Sequence, residues 1–498
     1  MVGAGPGDPG LLTLRGAECL RRADVVLYDY LINPRLLEHC RPYAELICLG
    51  QHGRSRIWPQ SEINAHLVRY ATEGKTVVRL KSGDPAIFAR GADEAGALAE
   101  HRVPFEMVPG ITVALAAGSY AGIPLTHRGL ASAVALVTGR EDDDKQTSAI
   151  DFAALARFPG TLVFYMGVTT VAHWTGALLA AGKPPETPVA VVRRCSFPDQ
   201  RIVRATLGEL AKSVVEQKLR PPVIFVVGDV VEADLALAWF DRRPLFGQRI
   251  LVTRPTGQVN GLRDPLEELG AEVVYQPAIA IGPPDDWTAV DAALDRLTTF
   301  NWLVFSSVNG VQAVLERLLA TGRDLRALGG VKLAAIGTGT AAALAGYHLR
   351  ADCMPDEFLA ESLAESLTAN AAGKRFLLAR ASRGREVLAE QLTAAGGQVE
   401  QVVVYQSVDV AQPDGQIVQQ LEEGRLNWVT VTSSAIARSL ANLFGDRLHQ
   451  TKLASISPIT SGTLRELGFE PAVEAREYSM PGLVQAIVAD VASRHQTP

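Results

Sequence analysis

Short runs of mostly apolar residues, several followed within a few positions by glycine or proline, recur along the chain. Val25-Val26-Leu27-Tyr28, Val77-Val78-Arg79-Leu80, Leu162-Val163-Phe164-Tyr165 and Val223-Ile224-Phe225-Val226-Val227 are four of them. Runs without alternation fit strands buried on both faces, as in parallel sheets. Between them lie stretches with helical spacing, such as Leu11 to Ala23 and Val311 to Leu319. A helix-like run also leads from 228 to Trp239 and Phe240. Strands alternating with helices predict an α/β fold. The polar stretch Asp241-Arg242-Arg243-Pro244-Leu245-Phe246-Gly247-Gln248 reads as a linker. The boundary falls near 246, giving domains 1–245 and 246–498.

The second half repeats itself. Asn301-Trp302-Leu303-Val304-Phe305-Ser306-Ser307 returns 126 residues later as Asn427-Trp428-Val429-Thr430-Val431-Thr432-Ser433, and Ile250 to Arg254 returns at the same offset as Phe376 to Arg380. Lys332-Leu333-Ala334-Ala335-Ile336 matches Lys452-Leu453-Ala454-Ser455-Ile456. Each copy predicts a small doubly wound, flavodoxin-like lobe. Tyr275-Gln276 and Tyr405-Gln406 are expected to end corresponding strands before the chain crosses between lobes. Two crossings make one lobe discontinuous, about 248–280 plus 408–498, with 284–404 as the other. A two-strand hinge between them suits closure on a ligand.

Composition narrows the class. Apolar residues are 47% of 498, ample for several cores, and the net charge of −6 argues against a general nucleic-acid binder. An anionic small molecule remains compatible, since a local basic cleft can outweigh the global sign. The five cysteines are scattered without a C-x-x-C pair. That fits a reducing cytoplasm and no metal site. No run is long and apolar enough to span a bilayer. Only Met1 to Ala4 are available to the first strand, fewer than the roughly five residues of a typical one. Either that strand is stunted or the true start lies upstream.

The chemistry gathers at strand ends. Val2-Gly3-Ala4-Gly5-Pro6-Gly7-Asp8-Pro9-Gly10 is a glycine/proline turn with Asp8 and Thr13 placed to cap a helix. Its glycine spacing does not fit a dinucleotide fingerprint. Lys81-Ser82-Gly83-Asp84-Pro85, Val108-Pro109-Gly110-Ile111-Thr112 and Tyr165-Met166-Gly167 are further turns of this kind. Each alone reads as structural, and together they favour a ligand crevice.

These motifs carry a resemblance. Gly3-Ala4-Gly5-Pro6-Gly7-Asp8-Pro9, Val25 to Asp29, Arg79-Leu80-Lys81-Ser82-Gly83-Asp84-Pro85-Ala86-Ile87-Phe88, Val108 to Thr112, Gly122-Ile123-Pro124-Leu125-Thr126-His127-Arg128 and Phe164 to Gly167 stand in the order of the uroporphyrinogen-III C-methyltransferases. Residues 2–240 resemble that branch of the tetrapyrrole methylases. The resemblance implies two α/β subdomains with S-adenosylmethionine between them. It implies cofactor contacts at Pro6, Ser82, Gly83, Asp84, Ile87, Thr112, Val113 and Met166, and Asp29 as proton acceptor. The octa-carboxylate substrate would be met by basic residues including Arg54, Lys81, Arg90 and Arg128. A homodimer through this half follows by analogy. Four places depart from the pattern: Gln51 replaces a lysine proposed as proton donor, Ser82 a glycine and Val113 an alanine, and near Cys195 the family commonly has glycine.

Residues 248–498 resemble uroporphyrinogen-III synthase through Val252-Thr253-Arg254-Pro255, Phe305 to Val311, Ala335 to Thr340, Val404-Tyr405 and Val431-Thr432-Ser433-Ser434. That family closes hydroxymethylbilane while inverting ring D. The resemblance implies Tyr405 as an acid assisting loss of the hydroxyl; a phenol can donate a proton yet stay neutral at pH 7. Ser306, Ser307, Asn309, Thr338, Thr340, Thr432 and Ser433 are expected to face the cleft and bind substrate, although helix capping is the commoner role for most such hydroxyls taken one by one. Together the halves imply a bifunctional enzyme of sirohaem or cobalamin synthesis. The alternatives are an active synthase beside a degenerate methyltransferase, and a non-catalytic tetrapyrrole or S-adenosylmethionine sensor.

Overall fold

The computed structural model of the chain describes residues 1–50, 58–141, 149–233, 237–357, 359–384 and 386–495. They form two compact units, Met1–Gly247 and Gln248–Pro498.

The first unit holds two sheets. One is fully parallel, in the spatial order Val2–Gly3, Val77–Lys81, Val25–Tyr28, Glu45–Cys48. Its strands all deliver their carboxyl ends to one edge. The other runs Val134–Thr138, Thr161–Tyr165, Val223–Val227, Pro188–Arg193, Arg201–Thr206. Only its first pair is parallel. Trp174 is wholly buried in the second core, stacked on Phe164 at 4.2 Å and edge-on to Phe225 at 5.3 Å.

Two expected helices are shorter than their patterns. Leu11 to Ala23 divides into a 3-10 turn, Pro9–Leu11, and an α-helix, Leu14–Arg22. Asp8 caps the turn and Thr13 caps the helix. The extended Leu12 between them forces the break. After Val223–Val227, among the described residues up to Phe240, the one helical element is a 3-10 turn, Asp229–Glu232. Trp239 and Phe240 do not extend a helical face; they pack on the Tyr120 ring at 5.2 and 4.6 Å.

The second unit has two five-stranded lobes. One is parallel throughout, in the order Glu272–Tyr275, Arg249–Val252, Trp428–Val431, Lys452–Ser455, Val473–Glu474. The other is Ile279–Gly282, Gln398–Asp409, Arg375–Ala381, Trp302–Phe305, Lys332–Ala335. Trp302–Phe305 and Trp428–Val431, the repeated strands, each run into a helix capped by serine: Ser307 before Val308–Ala320 and Ser433 before Ser434–Phe444. The strand expected to end at Tyr405 continues to Asp409. Ile279–Gly282, arriving from the other lobe, pairs with it antiparallel, Ile279 opposite Asp409 and Gly282 opposite Gln406. Those backbone bonds keep residues 406–409 extended, and the pair is the two-strand hinge.

Among the described residues no helix is long and apolar enough to cross a membrane, and no group of three or more His, Cys, Asp or Glu is placed to hold a metal ion. Cys48 is exposed and Cys195 is buried; burial pushes the Cys195 thiol up to about 12. Because the thiolate is the nucleophile, iodoacetamide at pH 8 should label Cys48 in the native protein and Cys195 only after unfolding, as peptide masses would record. Fast native labelling of Cys195 would mean that this core opens.

Candidate active sites

The carboxyl edge of the parallel sheet is stitched by glycine backbone. Gly3 donates to the Val108 carbonyl at 3.0 Å, and Gly5 and Gly83 exchange hydrogen bonds of 3.2 and 2.9 Å. A Cβ on Gly110 would lie 2.2 Å from the Gly83 oxygen and 2.7 Å from the Gly3 Cα, so no side chain fits there. Asp84 fastens the turns together. One carboxylate oxygen accepts from the Gly110 amide at 2.9 Å and the other from the Ala86 amide at 2.7 Å. Asp8 ties the first turn to the second subdomain by accepting from the Tyr120 hydroxyl at 2.9 Å and donating its amide to Ser196 Oγ at 3.0 Å.

The residues expected to hold the cofactor form one connected set. The Gly5–Gly83 pair sets Pro6 beside Ser82, Gly83 and Asp84. The Asp84–Gly110 bond brings in Thr112 and Val113. Thr112 does not cap the helix Val113–Tyr120; its hydroxyl meets the Tyr165 hydroxyl at 2.8 Å. Ile87 and Val113 pack on the cluster that contains Tyr165. Met166, next in sequence, is half-exposed in the left-handed region at φ 53°.

Asp29 follows the strand Val25–Tyr28. Its Oδ1 accepts from Arg79 Nη2 at 2.5 Å and its Oδ2 from the Ser82 amide at 3.1 Å. Arg79 in turn donates Nε to Glu94 at 3.1 Å, and Lys81 Nζ donates to the same Glu94 oxygen at 2.7 Å. Two cations and two carboxylates thus neutralise each other, with Arg79, Lys81 and Glu94 buried and Asp29 partly open to solvent. Burial, then Arg79, holds the Lys81 ammonium below the usual lysine range, with Glu94 opposing. Lys81 is 2% exposed, which corrects its expected place against a substrate carboxylate: its partner is the protein's own Glu94. Glu94 escaped the sequence reading. A signal existed, because Arg79 and Lys81 lie two apart on an otherwise apolar strand and so share one face. Two cations on one buried face demand an anion.

Arg90 is exposed at the head of the helix Gly91–Glu100 and pairs with Asp93 at 3.2 Å. Arg128 is exposed in a turn. Gln51 and Arg54 lie outside the described residues.

In the second unit Tyr405, almost fully buried, shares a 3.0 Å hydrogen bond with Ser307 Oγ, which also accepts from the Gly310 amide at 3.0 Å. Ser307 therefore both caps a helix and aligns a phenol. Asn309 accepts from Gln258 Nε2, and Gln258 Oε1 accepts from Arg254 Nη2 at 2.7 Å. This chain of contacts joins the two lobes, and neither Arg254 nor Gln258 was among the expected site residues. Ser306 and Thr338 are exposed and Thr432 is half-buried. Ser433 caps its helix by accepting from the Ile436 amide at 3.2 Å. Thr340 is corrected: it is 4% exposed and turned into the protein on the first turn of Thr338–Gly346. Positions i and i+2 of a helix point to different sides, so Thr338 and Thr340 cannot both face a cleft.

Comparison with known proteins places both halves. Residues 1–211 match the family of tetrapyrrole (corrin/porphyrin) methylases, and residues 260–485 match uroporphyrinogen-III synthase HemD. The porphyrin biosynthesis protein HemD of Ruminiclostridium josui is 34% identical over 484 residues, covering 96% of this chain and 93% of that one. A uroporphyrinogen-III C-methyltransferase of Bacillus subtilis (strain 168) is 40% identical over 327 residues, 66% of this chain and 67% of that one. An S-adenosyl-L-methionine-dependent uroporphyrinogen III methyltransferase of Methanosarcina barkeri is 46% identical over 231 residues, 46% of this chain and 91% of that one.

Glu94→Gln would leave Arg79 and Lys81 against a neutral amide in a dry site. Removing one partner of a buried pair costs about 3–5 kcal/mol, and the urea midpoint should fall accordingly. Glu94→Asp, which keeps the charge, should lose less. An unchanged midpoint for the glutamine variant would show that the network contributes nothing.

Proposed function

This chain belongs to the HemD porphyrin-biosynthesis proteins in which a tetrapyrrole methylase is joined to a uroporphyrinogen-III synthase, and on that premise we propose that it performs two consecutive reactions. It is a bifunctional tetrapyrrole enzyme with a methyltransferase and a synthase domain. In our reading the second unit closes hydroxymethylbilane to uroporphyrinogen III with inversion of ring D. The first unit then methylates that product at C2 and C7 to give precorrin-2. The observation that carries the reading is that one chain is similar to the R. josui protein over nearly the full length of both.

In the synthase step a hydroxyl must leave the linear tetrapyrrole as water. In our reading Tyr405 gives that oxygen a proton, and the 3.0 Å hydrogen bond between its hydroxyl and Ser307 Oγ, which fixes the direction of the phenol, supports this role. Pre-set direction matters because proton transfer needs the donor within about 3 Å of the acceptor. The hydroxyls of Ser306, Thr338, Thr432 and Ser433 and the helix amino ends they mark suit the substrate's anionic arms.

The crevice of the first unit fits S-adenosylmethionine by its own geometry. Gly83 stands at φ +70°, and a Cβ there would find only the Thr112 Cα, at 3.9 Å. Backbone is therefore open to a ligand on that side. The carboxylate of Asp84, held by two backbone amides and, among the described residues, by no cation, adds negative charge beside it, suiting a cationic ligand. Pro6, Ser82, Gly83, Asp84, Ile87, Thr112, Val113 and Met166 would hold it. Bound there, it supplies an electrophilic methyl on a positively charged sulfur. Asp29 takes the proton released as the pyrrole carbon gains its methyl, and Arg79 keeps that carboxylate aimed. Arg90 and Arg128, both exposed, would meet substrate carboxylates.

The test is one incubation of the purified chain with fresh hydroxymethylbilane and S-adenosylmethionine, reading product mass and isomer. A doubly methylated type III macrocycle is expected. Asp29→Asn should lower methylation by about 10²–10⁴-fold, the usual weight of a general base, while type III closure continues. Tyr405→Phe should lower type III closure, and with it methylation from hydroxymethylbilane, while still methylating uroporphyrinogen III supplied directly. Unmethylated uroporphyrinogen III from the unaltered chain would remove the methyltransferase half of the reading, and type I isomer alone would remove the synthase half. The same reading carries a homodimer through the first unit, so light scattering at micromolar concentration should give twice the mass of one chain.

A further inference from the structure

The internal repeat exposes a difference between equivalent arginines. Arg254 and Arg380 occupy the same place in the two copies, just beyond Arg249–Val252 in one and within the last residues of Arg375–Ala381 in the other. The correspondence continues past them at the same offset: Leu262 and Leu266 match Leu388 and Leu392, and Gly270 matches Gly396. The four leucines are all buried.

Arg380 is fully engaged by its own lobe. It pairs with Glu386, donates to Gln401 Oε1 at 2.8 Å, and donates to the Ala381 carbonyl at 3.3 Å. The positions equivalent to Glu386 and Gln401 in the other copy are Asn260 and Tyr275. Neither serves Arg254: Asn260 accepts from Arg263 at 2.6 Å, and the Tyr275 hydroxyl donates to Thr256 at 3.0 Å. Arg254 keeps one side-chain partner, the neutral Gln258. No carboxylate pairs with it among the described residues. Burial holds its guanidinium below the ordinary arginine range, with no anion acting against that.

A half-buried guanidinium without an anion is costly to keep. Its location gives the cost a use. Through Gln258 it reaches Asn309, on the first turn of Val308–Ala320, the helix whose capping Ser307 holds Tyr405. We propose that Arg254 is the receptor for one carboxylate arm of the linear tetrapyrrole, taken as a two-toothed ion pair in the cleft between the lobes. This rests on the synthase reading of the second unit. The neutral Gln258 holds the guanidinium in place without competing for it as Glu386 does in the other copy. Guanidinium and carboxylate match in shape as well as charge.

The experiment uses the full chain and hydroxymethylbilane, following type III closure for the unaltered protein, Arg254→Gln, Arg254→Lys and Arg380→Gln, with a melting temperature for each. Arg254→Gln should raise KM about tenfold to a hundredfold, the weight of a charge-assisted hydrogen bond, with kcat far less affected. Arg254→Lys should recover part of that loss. The melting temperature of Arg254→Gln should stay level or rise, since a desolvated unpaired cation has gone. Arg380→Gln should leave KM unchanged. An unchanged KM in Arg254→Gln overturns the proposal, as does a variant that melts lower or fails to fold, which would make Arg254 structural. If the unaltered chain yields only type I isomer, the synthase reading itself falls and this proposal with it; an active parent with an indifferent Arg254 variant removes the proposal alone.

Discussion

Parallel pairing is the constraint on which both units depend. A parallel sheet sends every strand's carboxyl end to the same edge, and the loops that leave that edge are forced together. In the first unit this assembles the turn after Val2–Gly3, Asp29 after Val25–Tyr28, and Ser82–Asp84 after Val77–Lys81. The contact is so close that Gly110 tolerates no Cβ against the Gly83 oxygen. In the second unit the same rule brings Ser307 to the end of Trp302–Phe305 and Ser433 to the end of Trp428–Val431. Asp29, Ser82–Asp84, Ser307 and Ser433 thus all stand just past a strand, whereas Tyr405 lies within one, Gln398–Asp409.

Charge is handled in two opposite ways along those edges. In the first unit, Arg79 and Lys81 converge on the wholly buried Glu94, and Arg79 still has a donor left for Asp29. The cations are neutralised inside the protein, and the carboxylate that faces outward inherits a fixed position. In the second unit, Arg254 has no such anion among the described residues, whereas its repeat mate Arg380 has Glu386. The repeat presents two equivalent arginines, and different residues at two neighbouring positions, Asn260 for Glu386 and Tyr275 for Gln401, go with their different partners.

The buried strands were readable from unbroken apolar runs, and the lobes from the 126-residue echo. The glycine turns were readable too, because a turn of that composition has few other conformations. Helix ends were less so. Leu11 to Ala23 has one periodic pattern but breaks at Leu12, and Tyr405 lies within a strand because Ile279–Gly282 pairs with the residues beyond it. Those outcomes depend on partners far away in sequence.

The sequence by itself determined the buried strands, their order and the residue types at each strand end, because these follow from local periodicity and backbone freedom, but it did not determine the 3-10 turns Pro9–Leu11 and Asp229–Glu232. Only the tertiary structure decided what each polar side chain faces. It turned Lys81 inward to Glu94, gave Thr112 to Tyr165 instead of a helix end, buried Thr340 while exposing Thr338, and left Arg254 with glutamine. The physical reason is that spacing along a strand or helix tells which residues share a face. Which face is dry, and which group stands opposite, is set by elements that arrive from elsewhere in the chain.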